Sequence, residues 1–176
     1  MRKTLAYRLL HPRPTVLLIS KYGKKTNAMA LAWSTPVEED VVAVAIYRGN
    51  YSYELVKKSG EFTLNIIPIE NLDILWKAGT MSGRKIDKIK ELGIELEQGV
   101  KIKTPHVKNC LGFLECKVEK EIEEEEHSLF IAEVVYAWAA PEWFKETWKE
   151  GIKIPLHVGK NIFAIPSQYM RTKRVR

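Results

Sequence analysis

The sequence predicts a mainly β protein, a β-barrel with helical insertions, and three observations carry that reading. Apolar segments of strand length follow one another at short spacing, separated by turn residues. Helical patterns are inserted into this series instead of alternating with it, so a doubly wound βαβ sheet fits poorly. One segment, Val41 to Tyr47, is almost continuously apolar, as strands covered on both faces are.

Each element follows from its own pattern. Thr15 to Ser20 and Thr26 to Trp33 flank the polar turn Lys21 to Lys25, which contains Gly23, and together they predict a hairpin. Pro36, Glu38, Glu39 and Asp40 mark the turn before the strand Val41 to Tyr47. A short helix is expected from Tyr51 to Ser59, with Leu55 and Val56 inward and Gly60 just past its end. Phe62 to Ile67 returns as a strand. Residues 69–93 form a helical excursion, with Leu72, Leu75 and Trp76 on one face and Ile86, Ile89 and Leu92 on another. Gly79, Ser82 and Gly83 break it into two short helices. From Leu114 to Ile122, the residues Leu114, Cys116, Val118 and Ile122 alternate with Glu115, Lys117, Glu119 and Glu121, predicting a half-buried strand with a solvated charged face. Glu123 to Glu126 is a turn. Ser128 to Ala139 is a long strand, where an edge or interface position explains Glu133 more simply than a buried pair. A short helix from Glu142 to Glu150, carrying Trp143, Phe144 and Trp148, and a strand from Asn161 to Ile165 complete the expectation.

The chain has 176 residues and 45% apolar content, which suits a single globular domain, residues 1–170, followed by a basic tail, residues 171–176. The net charge of +6 invites a nucleic-acid partner, but Arg171, Lys173, Arg174 and Arg176 supply four of those charges and the body keeps only +2. Cys110 and Cys116 form no CxxC pair and no disulfide framework. No apolar run reaches the ~18 residues of a membrane span, and no signal-peptide pattern opens the chain, so a cytoplasmic protein without a membrane partner is expected.

Walker, GxGxxG, GxSxG and HExxH patterns are absent, and His11, His106, His127 and His157 show no metal-ligand spacing, so no metal site is expected. Three constellations remain. Arg48-Gly49-Asn50-Tyr51-Ser52 joins the buried strand to a helix start; Gly49 permits close backbone approach, Asn50 or Ser52 can cap, and free amides beside Arg48 suit a phosphate. The plainer alternative is an ordinary capped helix. Thr26 to Pro36 places small residues between Met29 and Trp33, with room for a flat ring, and backbone amides near Ser34 and Thr35 are freed where Pro36 ends the pairing. The alternative is a barrel strand kept small by a packed neighbour. Ser82 to Lys88 puts basic residues after a glycine loop, which a solvated helix face also explains.

Taken in order, NAMALAWSTPV, VAVAIYRGNYSYELVKKSGEFTLNIIP, SGRKIDK and EEEEHSLFIAEVV resemble the flavin reductase-like, FMN-binding split-barrel proteins over about residues 10–165, particularly their flavoredoxin and archaeal ferric-reductase-like branch. The resemblance implies a six-stranded antiparallel split barrel of Greek-key type, a homodimer, and one FMN per subunit near the dimer interface. It implies that Asn27, Met29, Trp33, Ser34 and Thr35 line the isoalloxazine ring and that Arg48, Asn50, Tyr51 and Ser52 meet the ribityl-phosphate end. Arg84, Lys85 and Lys88 would approach the phosphate or the ring carbonyls, where positive charge stabilises the anionic reduced flavin. His127 takes the place of the histidine in the family's Gly-Asp-His segment and would face the ring or an incoming nicotinamide.

Two departures matter. Glu125-Glu126 replaces Gly-Asp, and Ala132 replaces a glycine. Extra carboxylates facing the cleft would repel a pyridine dinucleotide's phosphates. Near the end, Leu156 to Asn161 resembles a family segment usually richer in glycine, with His157 in a structural role. The expected activity is electron transfer from NADH or NADPH through FMN to free flavin, ferric complexes or a partner protein. One alternative is an FMN electron carrier without direct NAD(P)H oxidation. Another is a small β-barrel that binds nucleic acid through its tail, against which the acidic strand face at 114–122 counts.

Overall fold

The computed structural model describes residues 3–172; Lys173, Arg174 and Arg176 of the basic tail lie outside them. In chain order the elements are a 3₁₀ turn (Lys3–Leu10), β1 (Arg13–Pro14), β2 (Val16–Tyr22), β3 (Lys25–Leu31), β4 (Ser34–Pro36), β5 (Val41–Tyr47), α1 (Tyr51–Ser59) and β6 (Glu61–Ile66). There follow a 3₁₀ turn (Ile69–Asn71), α2 (Leu72–Thr80), α3 (Lys88–Glu91), β7 (Leu96–Glu97), β8 (His106–Val107), β9 (Gly112–Glu123), β10 (His127–Ala139), β11 (Leu156–Gly159) and β12 (Ile162–Ala164).

One antiparallel sheet runs in the order β3-β2-β6-β9-β10-β5-β4 and curls into a half-barrel. Six of its strands are long, and the three-residue β4 extends the edge beyond β5. The β2–β3 hairpin lies at one edge and the β4–β5 pair at the other, and α1 carries the chain back between them to β6, a Greek-key crossing. The sequence expectation of a split barrel holds.

The core explains the apolar runs. On β2, Val16 and Leu18 face one cluster with Met29, Val44, Phe62 and Phe130, while Leu17 and Ile19 face a second with Leu75, Ala78 and Phe113. A strand covered on both faces cannot alternate with polar residues. Leu18, Ile19, Val44 and Phe62 are fully buried, each worth roughly 1.5–3 kcal/mol as an upper estimate. Helix α1 inserts Leu55 and Val56, and Gly60 closes it at φ 68°, a left-handed angle that glycine takes without strain. A small sheet, β1-β11-β12, stands apart from the curled one, and β7 pairs with β8.

Several local expectations are corrected. On β9 the register passes from Lys120 opposite Ile131 to Val118 opposite Ala132, so Glu119 is an extra residue that reverses the alternation. Ile122 is therefore exposed, while Glu121 turns to accept from the Tyr53 hydroxyl at 3.0 Å. Glu115, expected on a solvated face, is fully buried because residues 98–104 cover it; its carboxylate accepts from the Val100 and Lys101 amides at 2.6 and 2.7 Å. No helix forms at 142–150. The amides of Trp143 and Phe144 both return to the Ala140 carbonyl, and Phe144 packs edge-on against Trp148 at 5.1 Å in a closed loop. Gly79 lies inside α2 instead of breaking it, since a Cβ there would stand only 3.1 Å from that of Ala30. Trp76 is turned outward, and Glu133 is exposed, which leaves no buried pair. Among the described residues no helix is long and apolar enough to cross a membrane.

Candidate functional site

Two neighbouring clefts gather most of the candidate residues. The first, about 360 Å³, is floored by Met29 to Trp33 of β3 and its continuation and by Ala45 to Tyr47 of β5. Trp76 and Gly79 of α2, Tyr7 of the first 3₁₀ turn, and His11, His157 and Phe163 around the small sheet complete its wall. The alanines at 30, 32 and 45 keep the floor low, so the sequence pattern of small residues does leave space. Trp33 lies 5.1 Å from His127, and Tyr47 lies 5.5 Å from it, forming an aromatic rim.

The second cleft is lined by Lys24, Lys25, Thr26, Tyr51, Glu54, Gly83, Arg84, Lys85 and Asp87. Tyr51 and Asn50, consecutive residues at the start of α1, line one cleft each and join the two. Asn50 occupies the cap position in an extended conformation, yet no side chain caps the helix. Its amide instead donates to Met29 Sδ at 3.2 Å, and Ser52 Oγ accepts from Asn27 Nδ2 at 2.9 Å. The N-terminal dipole of α1 is thus left uncapped by side chains beside a cationic cleft, a setting for an anion. Gly83 lets the second cleft's loop pack against β3, because a Cβ there would overlap the Asn27 carboxamide. Arg84 lies over the Tyr51 ring at 5.4 Å and pairs with Glu54 at 2.6 Å.

Other candidates are placed differently. Arg48 turns away from the helix start: its guanidinium reaches Glu123 at 3.3 Å and the Glu125 carbonyl, and its amide donates to the Glu126 carbonyl at 2.8 Å. Nearby, hydrogen bonding to Glu123, together with Tyr53 and Glu121, holds the Lys57 ammonium above its usual range. These contacts fix the 123–126 turn next to His127, with Glu124, Glu125 and Glu126 exposed. Lys88 is also withdrawn. Its buried ammonium donates to the carbonyls of Ala28 at 2.9 Å and Ala78 at 2.6 Å, tying β3 to α2, and it lines neither cleft. Burial lowers its pKa to about 8.

Ser34 and Thr35 also line neither cleft. Pro36 does not end the pairing: β4 continues it, with Thr35 opposite Ala43, and Pro36 is tolerated because β4 is an edge strand. The Ser34 carbonyl accepts from the Arg13 guanidinium at 2.8 Å. The space beside Gly49 is taken by the Tyr47 ring, which a Cβ would meet at 2.3 Å, so this glycine admits a side chain and not a ligand.

Sequence reasoning did not select Lys24 and Lys25, which it placed in a plain turn, nor Tyr7, His11 and Phe163. No local signal marks these residues, because separate elements bring them together. His157, expected to be structural, also lines the first cleft. Among the described residues no group of three His, Cys, Asp or Glu side chains is placed to hold a metal ion.

The curled antiparallel half-barrel is the fold of the split-barrel FMN-binding proteins. Residues 7–156 match the family model described as flavin reductase like domain, and the chain belongs to that family. An uncharacterized protein of Archaeoglobus fulgidus is 38% identical over 129 residues, covering 72% of each chain. A ferric-chelate reductase (NAD(P)H) of the same organism is 29% identical over 66% of this chain and 67% of its own. The crystal structure of flavoredoxin from Methanosarcina acetivorans superposes with a TM-score of 0.83 at 24% identity, covering 91% of this chain and 88% of its own.

Proposed function

We propose that the protein binds FMN and acts as an oxidoreductase, passing electrons from NADH or NADPH to free flavin, a ferric complex or a partner protein. The observation that carries this reading is the junction of the aromatic cleft with the cationic one at the uncapped start of α1. The residues fit the group: Met29, Trp33 and His127 would flank the ring, while Asn50, Tyr51 and the cations Lys24, Lys25, Arg84 and Lys85 would hold the ribityl-phosphate end. Bound FMN supplies the redox chemistry. The chain's own residues orient the ring, exclude water from one side of it and place positive charge near its phosphate. His127 is the side chain best placed to touch the ring or an incoming donor. The ferric-chelate reductase relative supports a reductase of this kind. A homodimer is proposed with it, since Trp33, Tyr47 and Trp76 around the ring cleft are partly exposed.

A second reading, an FMN electron carrier served by another reductase, is favoured by one observation. Arg48 locks three exposed carboxylates, Glu124 to Glu126, beside His127, where the phosphates of a dinucleotide would meet like charge.

Purified protein is expected to be yellow, carrying close to one flavin per chain and releasing FMN rather than FAD on denaturation. Colourless protein that also fails to bind added FMN rules out both readings. Anaerobic mixing with NADH or NADPH separates them. Direct bleaching supports the reductase, whereas bleaching that requires an added reductase supports the carrier.

A further inference from the structure

Helix α2 and strand β3 meet along a seam that forms one corner of the ring cleft. Ala30 of β3 and Leu75, Trp76, Gly79 and Thr80 of α2 all line that cleft. The seam is close. A Cβ on Gly79 would stand 3.1 Å from that of Ala30, and Ala28, Leu75 and Ala78 are fully buried in one cluster beside it. Side chains this small interlock through few atoms, so their contacts alone resist sliding weakly. Among the described residues no hydrogen bond passes directly from α2 to β3.

The polar tie comes from α3. Lys88, its first residue, is only 4% exposed, and its ammonium donates to the carbonyls of Ala28 at 2.9 Å and Ala78 at 2.6 Å. Ala78 lies in the last turn of α2, where carbonyls lack a partner within the helix and the dipole favours a cation. Both partners are neutral, however, and the ammonium loses a hydration that an apolar side chain of the same length would not need. The core would pack without this charge. What the charge adds is a join between the floor of the ring cleft and its wall.

We propose that Lys88 is a positioning residue for the flavin ring: by holding the Ala28 and Ala78 carbonyls together it fixes α2 against β3 and sets the width of the ring cleft, without touching the flavin. This role deepens the FMN reading and rests on the first cleft being the site of the ring. It also separates Lys88 from Arg84 and Lys85, which line the cationic cleft.

Riboflavin, which has the ring and the ribityl chain but no phosphate, tells the two roles apart. Full-length protein freed of flavin is titrated with FMN and with riboflavin, following the flavin fluorescence, while urea unfolding reports stability. Lys88→Met keeps the length of the side chain and removes the donors. It is expected to fold and to weaken both flavins about tenfold, the worth of a hydrogen-bonded contact. The ratio of the two affinities should stay within about twofold of the wild type. Arg84→Ala is expected to change that ratio, since only FMN carries the phosphate. Gly79→Ala pushes on the same seam with Lys88 intact, in a helix that alanine favours, and should also weaken both flavins alike. Lys88→Met protein that binds both flavins as the wild type does has lost only a structural lysine, which overturns the proposal. Weakened FMN with unchanged riboflavin makes Lys88 a phosphate ligand and overturns it also. Should Lys88→Met fail to fold, Gly79→Ala decides, and unchanged affinities there exclude the seam as what sets the cleft. Wild-type protein that takes up neither flavin fails the proposed function itself, a result read before any variant is made, and this role falls with it.

Discussion

At the scale of the residue, two lysines in one short run have different fates. Lys85 and Lys88 both follow the glycine loop, yet Lys85 lines the cationic cleft while Lys88 is buried between two backbone carbonyls. Its partners are neutral; Asp87 and Glu91 on its own helix, Asp73 and Lys77 on α2, and Lys25 on β3 all face solvent. Burial alone therefore lowers its pKa from 10.5 to about 8. Below about 8 both the folded and unfolded chains are protonated at this amine, and the full cost of burying the charge is present. Between about 8 and 10.5 the unfolded chain holds the proton and the folded one does not, so stability rises with pH. The gain across the window is on the order of 3 kcal/mol. Urea unfolding of the wild type and of Lys88→Met across that range should show the wild type gaining relative to the variant as pH rises. Parallel curves would mean that burial is not what governs the amine.

At the scale of the element, α1 was legible almost to the residue. Leu55 and Val56 are adjacent, Gly60 follows four residues after Val56, and helix patterning of this kind is a local property. What its N-terminus does was not legible. Asn50 is a good cap by type, but the fold turns its amide to Met29 Sδ, because β3 passes within reach. Asn50→Asp separates the two roles of this helix end. A carboxylate there should stabilise α1 by about 0.5 kcal/mol through the dipole, raising the melting temperature of the FMN-free protein slightly. The same charge should weaken FMN binding about tenfold by repelling the phosphate. Opposite signs in a melting curve and a flavin titration are the expected result. If both improve, the phosphate does not lie at this helix start. Strand β9 teaches the converse lesson. Its alternation is clean on paper, but one inserted residue, Glu119, reverses it, and nothing in the pattern marks a bulge whose cause is the pairing with β10.

At the scale of the whole molecule, charge is arranged and not simply summed. No residue of the acidic 123–126 turn lines the cationic cleft, and a net charge of +6 describes neither. Replacing Glu125 and Glu126 by Gln should lower KM for NADPH by about fivefold, with a smaller effect for NADH, which has one phosphate fewer, and the difference should shrink at high salt. Steady-state kinetics at two ionic strengths checks this, and unchanged KM values would remove the turn from donor selection. By itself the sequence determined the six long strands of the curled sheet, the α1 helix, the family resemblance and the candidate regions at 27–35, 50–52 and 82–85, because periodicity, turn chemistry and ordered motifs are written over neighbouring residues. Only the tertiary structure decided that Lys88 and Glu115 are buried, that Arg48 serves the acidic turn, and that His11 and His157 share the ring cleft. Those outcomes depend on which distant segments cover a side chain once the sheet curls, and burial of a charge or the partner of an imidazole is a property of that three-dimensional neighbourhood.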